Sequence, residues 1–264
     1  MTIRKSIILS VLLILCAGAA SLSLGQTVRE IRKTLPLGSD GTVSIETFKG
    51  SVTITAWDSP QVEILARIEP DGSSAKDTEN VQGADVRIET AGSGVQIRSD
   101  YDKLRHLSFN SDENDGHLPL INYTIKMPGT AGLHIIDHRS TTKIDGLRSD
   151  VRINTHRGTV AVTAFQGSIV LETHRGDARV EFARLTGDNR FETHRGDIEV
   201  VVPRGGGFNL DSSVGRGGMD SDIDLKGLVQ SQDRRSIRYG GPVNGGGPLL
   251  HMAGDRGHFR LQQR

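Results

Sequence analysis

The amino-acid sequence predicts an all-β fold, a β-solenoid (β-helix-like) of roughly nine-residue half-turns with 18 residues per turn. Three observations carry that prediction. The tetrapeptide Thr-His-Arg-Gly recurs at residues 155–158, 173–176 and 193–196, with a degenerate Asp137-His138-Arg139-Ser140 ahead of it. Apolar and polar residues alternate between these corners, which is the period of a half-buried strand. Glycine is abundant, at 32 residues without a collagen period, while aromatic residues make up only 4%. That composition suits many tight turns.

Internal repetition weighs most, because it dictates the whole architecture. Successive tetrapeptides lie 18, 18 and 20 residues apart. A finer register divides them: Ser140, Ser149, Gly158, Gly167, Gly176, Gly187 and Gly196 are separated by 9, 9, 9, 9, 11 and 9 residues. Counting each as zero, positions +2 and +4 hold Thr142/Ile144, Val151/Ile153, Val160/Val162, Ile169/Leu171, Ala178/Val180, Asn189/Phe191 and Ile198/Val200. All but Thr142 and Asn189 are apolar, so each strand has one inward face. A single turn cannot bury its own apolar pair, so turns must stack at the inter-strand spacing of roughly 4.8 Å. The two corners of each turn differ. One carries His138, His156, His174 and His194; the other carries Leu147, Phe165 and Leu185.

The pattern extends in both directions. Gly41 and Gly50 are nine apart, with Val43/Ile45 and Val52/Ile54 inward, and Thr47-Phe48-Lys49-Gly50 replaces the tetrapeptide. Pro248 and Gly257 are also nine apart, with Leu250/Met252 and Phe259/Leu261 inward. These read as the first and last turns of one domain over residues 41–264. Residues 26–40 form a lead-in, in which residues 28–34 suit a helical turn or a strand equally. The polar stretches 71–82 and 101–116 read as surface insert loops, and the glycine-rich residues 240–247 as a flexible loop.

Residues 1–25 have the order of a secretory signal peptide: basic Arg4 and Lys5, an apolar run over 7–15, then small residues. Cleavage is expected after Ala19 or Gly25. Residues 7–20 are shorter than the roughly 20 needed to cross a bilayer, so no stable membrane span is expected after cleavage. The expected location is the periplasm or the cell surface. Cys16, the only cysteine, lies inside this segment, which leaves the mature chain no disulfide and no thiolate metal site. The 32 basic and 32 acidic residues balance, and no global field for nucleic acid is present.

Gly41-Thr-Val-Ser-Ile, Gly50-Ser-Val-Thr-Ile-Thr-Ala-Trp57, Tyr123-Thr-Ile-Lys-Met-Pro128 and the Gly-Asp pairs at Gly176, Gly187 and Gly196 resemble the bacterial DUF4097 "putative adhesin" family. The resemblance covers about residues 43–261. It implies an extracytoplasmic β-solenoid with no established catalytic residues.

The chemical feature that stands out is the corner bearing His138, Arg139, His156, Arg157, His174, Arg175, His194 and Arg195. Stacked arginine forks suit oxyanions, so the expected partner is an anionic glycan or another cell-envelope component. In the competing reading these are solvated corner residues neutralised by Asp150, Asp177, Glu172, Glu192 and Asp197. Two further readings stay open: a polysaccharide lyase or hydrolase on a β-helix, and a metal- or small-anion-binding histidine column. A linear ladder points its side chains parallel rather than converging them on tetrahedral zinc. No cofactor and no metal are expected, and no catalytic residue is assigned: nucleophile elbows and phosphate loops are absent. Arg175-Gly176-Asp177 and Arg195-Gly196-Asp197 match an integrin-read tripeptide but belong to the repeat. Residues 112–116 lack the pattern of a calcium loop.

Overall fold

The computed structural model describes residues 28–105, 107 and 115–264. The signal segment and residues Asp112, Glu113 and Asn114 lie outside the described residues. The architecture is all-β. Its N-terminal part contains β1 (Arg29–Pro36), β2 (Thr42–Trp57), β3 (Gln61–Glu69), β4 (Asp85–Ala91), β5 (Gly94–Asp100) and β6 (Leu120–Pro128). The repeat region holds β7 (Gly132–Asp145), β8 (Val151–Thr155), β9 (Thr159–Gly167), β10 (Ile169–Thr173), β11 (Ala178–Leu185), β12 (Asn189–Thr193) and β13 (Ile198–Val202). After it come β14 (Phe208–Val214), β15 (Met219–Ser221), β16 (Val229–Gln232), β17 (Ile237–Val243), β18 (Leu249–Gly254) and β19 (Phe259–Gln263).

The repeat strands pair in parallel with their counterparts in the next repeat. Partners are 18 residues apart from Leu133↔Val151 to Val151↔Ile169, and 20 apart at Leu171↔Phe191. Two walls result. One stacks Ile135, Ile153, Leu171, Phe191 and Met252; the other stacks Ile144, Val162, Val180, Val200 and Leu261. All ten are buried. The two polar exceptions are inward as well. Asn189 satisfies its amide locally, donating to the Gly187 carbonyl at 2.6 Å and accepting from the Ile169 amide at 3.2 Å.

The order of the stack departs from the order of the chain. Residues 249–263 are not the last layer: β18 lies between β12 and β14, and β19 lies between β13 and β15. The chain lays down β14 and β15 one place too far out, turns back through the antiparallel pair β16–β17, and fills the gap with its C-terminus. The N-terminal end does the same. Strand β2 lies between β7 on one side and β5 and β6 on the other, with antiparallel β1, β3 and β4 beyond. Antiparallel strands therefore close both ends of a parallel stack, whose unpaired edges would otherwise template another chain.

One open local expectation is decided and three are corrected. The lead-in is a strand, β1, paired with β3. Residues 240–247 are half strand, because Gly240, Gly241 and Pro242 pair with Asp211, Leu210 and Asn209. Leu185 does not share the register of Phe165. The extra residues between Gly176 and Gly187 are absorbed by register shifts in β11, and Phe182 takes the place opposite Phe165, with ring centroids 5.5 Å apart.

The stretch 71–82 is not a surface loop. It folds into α1 (Ala75–Asn80) with a reciprocal cap between Ser74 and Asp77. A short 3₁₀ turn follows, whose Val81 joins Leu104 and Leu107 in the core. Polar composition concealed this because both buried polar groups are bonded, Asn80 to the Asp115 and His117 carbonyls and Asp77 to Ser74 and His117. Burial alone would raise the pKa of Asp77, but the Ser74 hydroxyl and the His117 and Ser74 amides hold it well below the usual carboxylate range.

Candidate functional site

Each repeat corner is built by its threonine. The Gly158, Gly176 and Gly196 amides donate to the hydroxyls of Thr155, Thr173 and Thr193 at 2.9, 2.9 and 2.8 Å. A hydroxyl in this position substitutes for a turn carbonyl. In the first copy Asp137 does the same work, accepting from the Ser140 amide at 2.8 Å and from the Thr155 hydroxyl of the next layer at 2.8 Å. Sequence reasoning passed over these buried residues, although the invariant first position of the tetrapeptide signalled them. The closing glycine is required by crowding: a Cβ on Gly176 would lie 1.7 Å from the Gly158 carbonyl oxygen.

Corners nested this closely bring all eight predicted residues together in two columns. Backbone bonds fix the registry: the amides of Arg157, Arg175 and Arg195 donate to the carbonyls of His138, His156 and His174 at 2.9, 3.0 and 3.1 Å. The imidazoles stack. Ring centroids are 4.9 Å apart for His138–His156, 4.8 Å for His156–His174 and 4.9 Å for His174–His194. Phe48 continues the stack at 4.8 Å from His138, and Asp255 closes its far end, 3.7 Å from His194. The histidines are half-buried and the arginines exposed.

The column is longer than the repeat. Because the C-terminal layers interleave, the Arg256 amide donates to the His194 carbonyl at 3.0 Å, and the Arg216 amide to the Asp255 carbonyl at 2.8 Å. Lys49 occupies the opposite end, in register with Arg139. The Arg-Gly pairs Arg216-Gly217 and Arg256-Gly257 are the local signal, but their place in the column depends on the crossed order of the layers.

The acids expected to neutralise the arginines are occupied elsewhere. Glu172 accepts from the Asn154 amide at 3.3 Å, Glu192 pairs with Arg190, and Asp150 accepts from the Ser168 hydroxyl at 2.7 Å. Asp177 accepts from the Asp197 amide at 2.9 Å, and Asp197 from the His258 amide at 3.0 Å. Among the described residues, Arg139, Arg157, Arg175, Arg195 and Arg216 form no ion pair. Lys49 does pair, with Asp71, and Arg256 lies 3.6 Å from Asp255. The integrin-like tripeptides sit inside these corners, with their glycines buried and their aspartates bonded to the next layer. Among the described residues no cluster of three metal-ligating groups forms.

The crowding of positive charge is visible in the imidazoles. His138 is held below the ordinary histidine value by desolvation, then by His156, Arg139 and Arg157, with Asp137 opposing. His174 is lowered by desolvation, then by His156, His194, Arg175 and Arg195. A base whose folded pKa is depressed stabilises the fold above its unfolded value, near 6.5. That contribution is lost as pH falls through 6.5 toward the folded value. Thermal midpoints are therefore expected to drop between pH 7.5 and pH 5.5, and His174→Asn is expected to flatten that drop. Equal slopes for the two proteins would show that the stack does not feel its own protonation.

Among the described residues no helix is long and apolar enough to cross a membrane. No curated protein matches the chain. Among solved structures, one named a "putative cell adhesion protein" from Clostridium sporogenes is similar in fold, with TM-score 0.54 at 10% identity, covering 90% of this chain and 100% of that one. A "putative adhesin" from Bacteroides fragilis is also matched at 10% identity, with TM-score 0.38 over 89% of this chain and 97% of that one. The family profile described as Toastrack DUF4097 matches residues 34–240, most of the chain, and the protein belongs to that family.

Proposed function

We propose that the protein is an exported, non-enzymatic, adhesin-like β-solenoid of 18-residue turns that holds an anionic polymer along its His/Arg corner. The observation that carries this reading is the run of exposed guanidinium groups from Arg139 to Arg195 without an ion-pair partner among the described residues. Like charges on adjacent strands are unfavourable when nothing compensates them. An external polyanion compensates them, and arginine forks suit carboxylate and sulfate oxygens. Export rests on the sequence of residues 1–25. The adhesin-like character is consistent with the name of the Clostridium sporogenes structure.

The test is equilibrium binding of the mature protein to polygalacturonate, hyaluronate and dextran sulfate at low salt, with neutral dextran as control. Each exposed ion pair is worth about 0.2–1 kcal/mol. The triple substitution Arg157→Ala, Arg175→Ala, Arg195→Ala is therefore expected to weaken binding by roughly tenfold. A variant that binds all three polyanions as tightly as the wild type would refute the reading. So would tight binding of neutral dextran. Carbohydrate cleavage that is lost on substituting one or two carboxylates would favour the enzyme reading instead.

A further inference from the structure

We infer that the ligand of this corner is a single-file polyuronate, a linear chain carrying one carboxylate per sugar, laid along the arginine column. The inference rests on the anion-binding reading above and specifies its ligand class. Three observations narrow the chemistry.

First, the pitch is fixed by the backbone. Adjacent layers hold their rings 4.8 and 4.9 Å apart, and the arginine amides are bonded to the same layers. The spacing is a property of strand stacking and cannot adapt to a different charge repeat. A chain of linked uronates advances by about one pyranose ring per charge, close to this pitch. Hyaluronate, with one carboxylate for every two sugars, leaves alternate rungs empty. The length and reach of arginine let successive forks meet carboxylates on either flank of a chain whose successive sugars are rotated about its axis.

Second, the cationic crest is one residue wide. Exposed or half-exposed Glu172 and Glu192 border one flank, and Asp177 and Asp197 border the other. These carboxylates repel any polymer whose charge spreads sideways, which disfavours densely sulfated chains and nucleic acid duplexes. A single file of charges meets only the arginines.

Third, the column continues past the repeat. Arg139, Arg157, Arg175 and Arg195 form four adjacent rungs without ion pairs, then come Arg256 and Arg216. Asp255 weakens the fifth rung through its contacts with Arg256 and His194. The site therefore has a strong segment of four rungs and a weaker extension of two.

The experiment is calorimetric titration of the mature protein with galacturonate oligomers of two to eight units, at low salt. Affinity is expected to rise about two- to fivefold per added unit up to four, because each rung contributes a modest exposed ion pair. The rise should become shallower to six and then stop. Arg216→Ala, an exposed substitution, is expected to weaken the hexamer about twofold and leave the tetramer unchanged. Equal affinity for the dimer and the octamer would overturn the inference. So would equal weakening of tetramer and hexamer by Arg216→Ala, or dextran sulfate of matched charge binding tighter than the octamer. If dextran sulfate binds and the galacturonates do not, the ligand class is wrong and the anion-binding reading stands; if neither binds, both fall.

Discussion

Ile169→Asp is expected to unfold the centre of the stack. Ile169 is fully buried, pairs with Val151 in the layer below, and donates its amide to the side-chain oxygen of Asn189. A carboxylate there has no partner and no water, which costs several kcal/mol. Whole domains are stable by only about 5–15 kcal/mol. The loss also spreads, because each layer is held chiefly by the layers on either side. Two comparisons separate burial from mere substitution. Ile169→Val should cost about 1 kcal/mol, and Arg152→Asp, on the exposed face of β8, should fall within about 0.5 kcal/mol. Urea midpoints of the three variants check this. An Ile169→Asp protein that melts like the wild type would mean that the inward register is wrong.

Gly176→Ala is expected to produce the second large effect, about 3 kcal/mol or more from overpacking. The added Cβ would meet the Gly158 carbonyl oxygen at 1.7 Å and the Gly158 carbonyl carbon at 2.8 Å. Both are backbone atoms of the adjacent layer, so no rotamer change relieves the clash. The corners must separate, and the arginine pitch is lost with them. Binding should therefore weaken together with stability. Gly227→Ala is the matched control, since a Cβ there meets nothing within 4 Å. Calorimetric melts that place the two variants together would contradict the nested corner.

Much of this was legible in the sequence because a repeat writes each layer separately. The inward positions Val151, Ile153, Val160 and Val162 announce themselves by alternation, and all are buried. The eight corner residues were legible as a column because their spacing equals the pairing register. What was not legible depends on the third dimension. Alternation identifies residues 249–263 as a layer but does not say which layers flank it, so Arg256 and Arg216 could not be placed in the column. Composition marked residues 71–82 as surface, because a fully bonded buried aspartate looks like a solvated one in a string of letters. Leu185 was placed where Phe182 stands because spacing locates an insertion without saying where a bulge absorbs it. Charge balance was the subtlest case. Enough acids stand near the arginines in sequence, but their hydrogen bonds run along the walls to the next layer.

The measurement that bears most directly on the central claim is an arginine footprint. Phenylglyoxal modification of the mature protein, read by peptide mass spectrometry, reports the accessibility of each exposed guanidinium. With polygalacturonate at saturating concentration, Arg139, Arg157, Arg175 and Arg195 should be protected, while exposed Arg152, Arg204 and Arg234 elsewhere keep reacting. Protection confined to residues outside the corner, or no protection at the four corner arginines, would contradict the account.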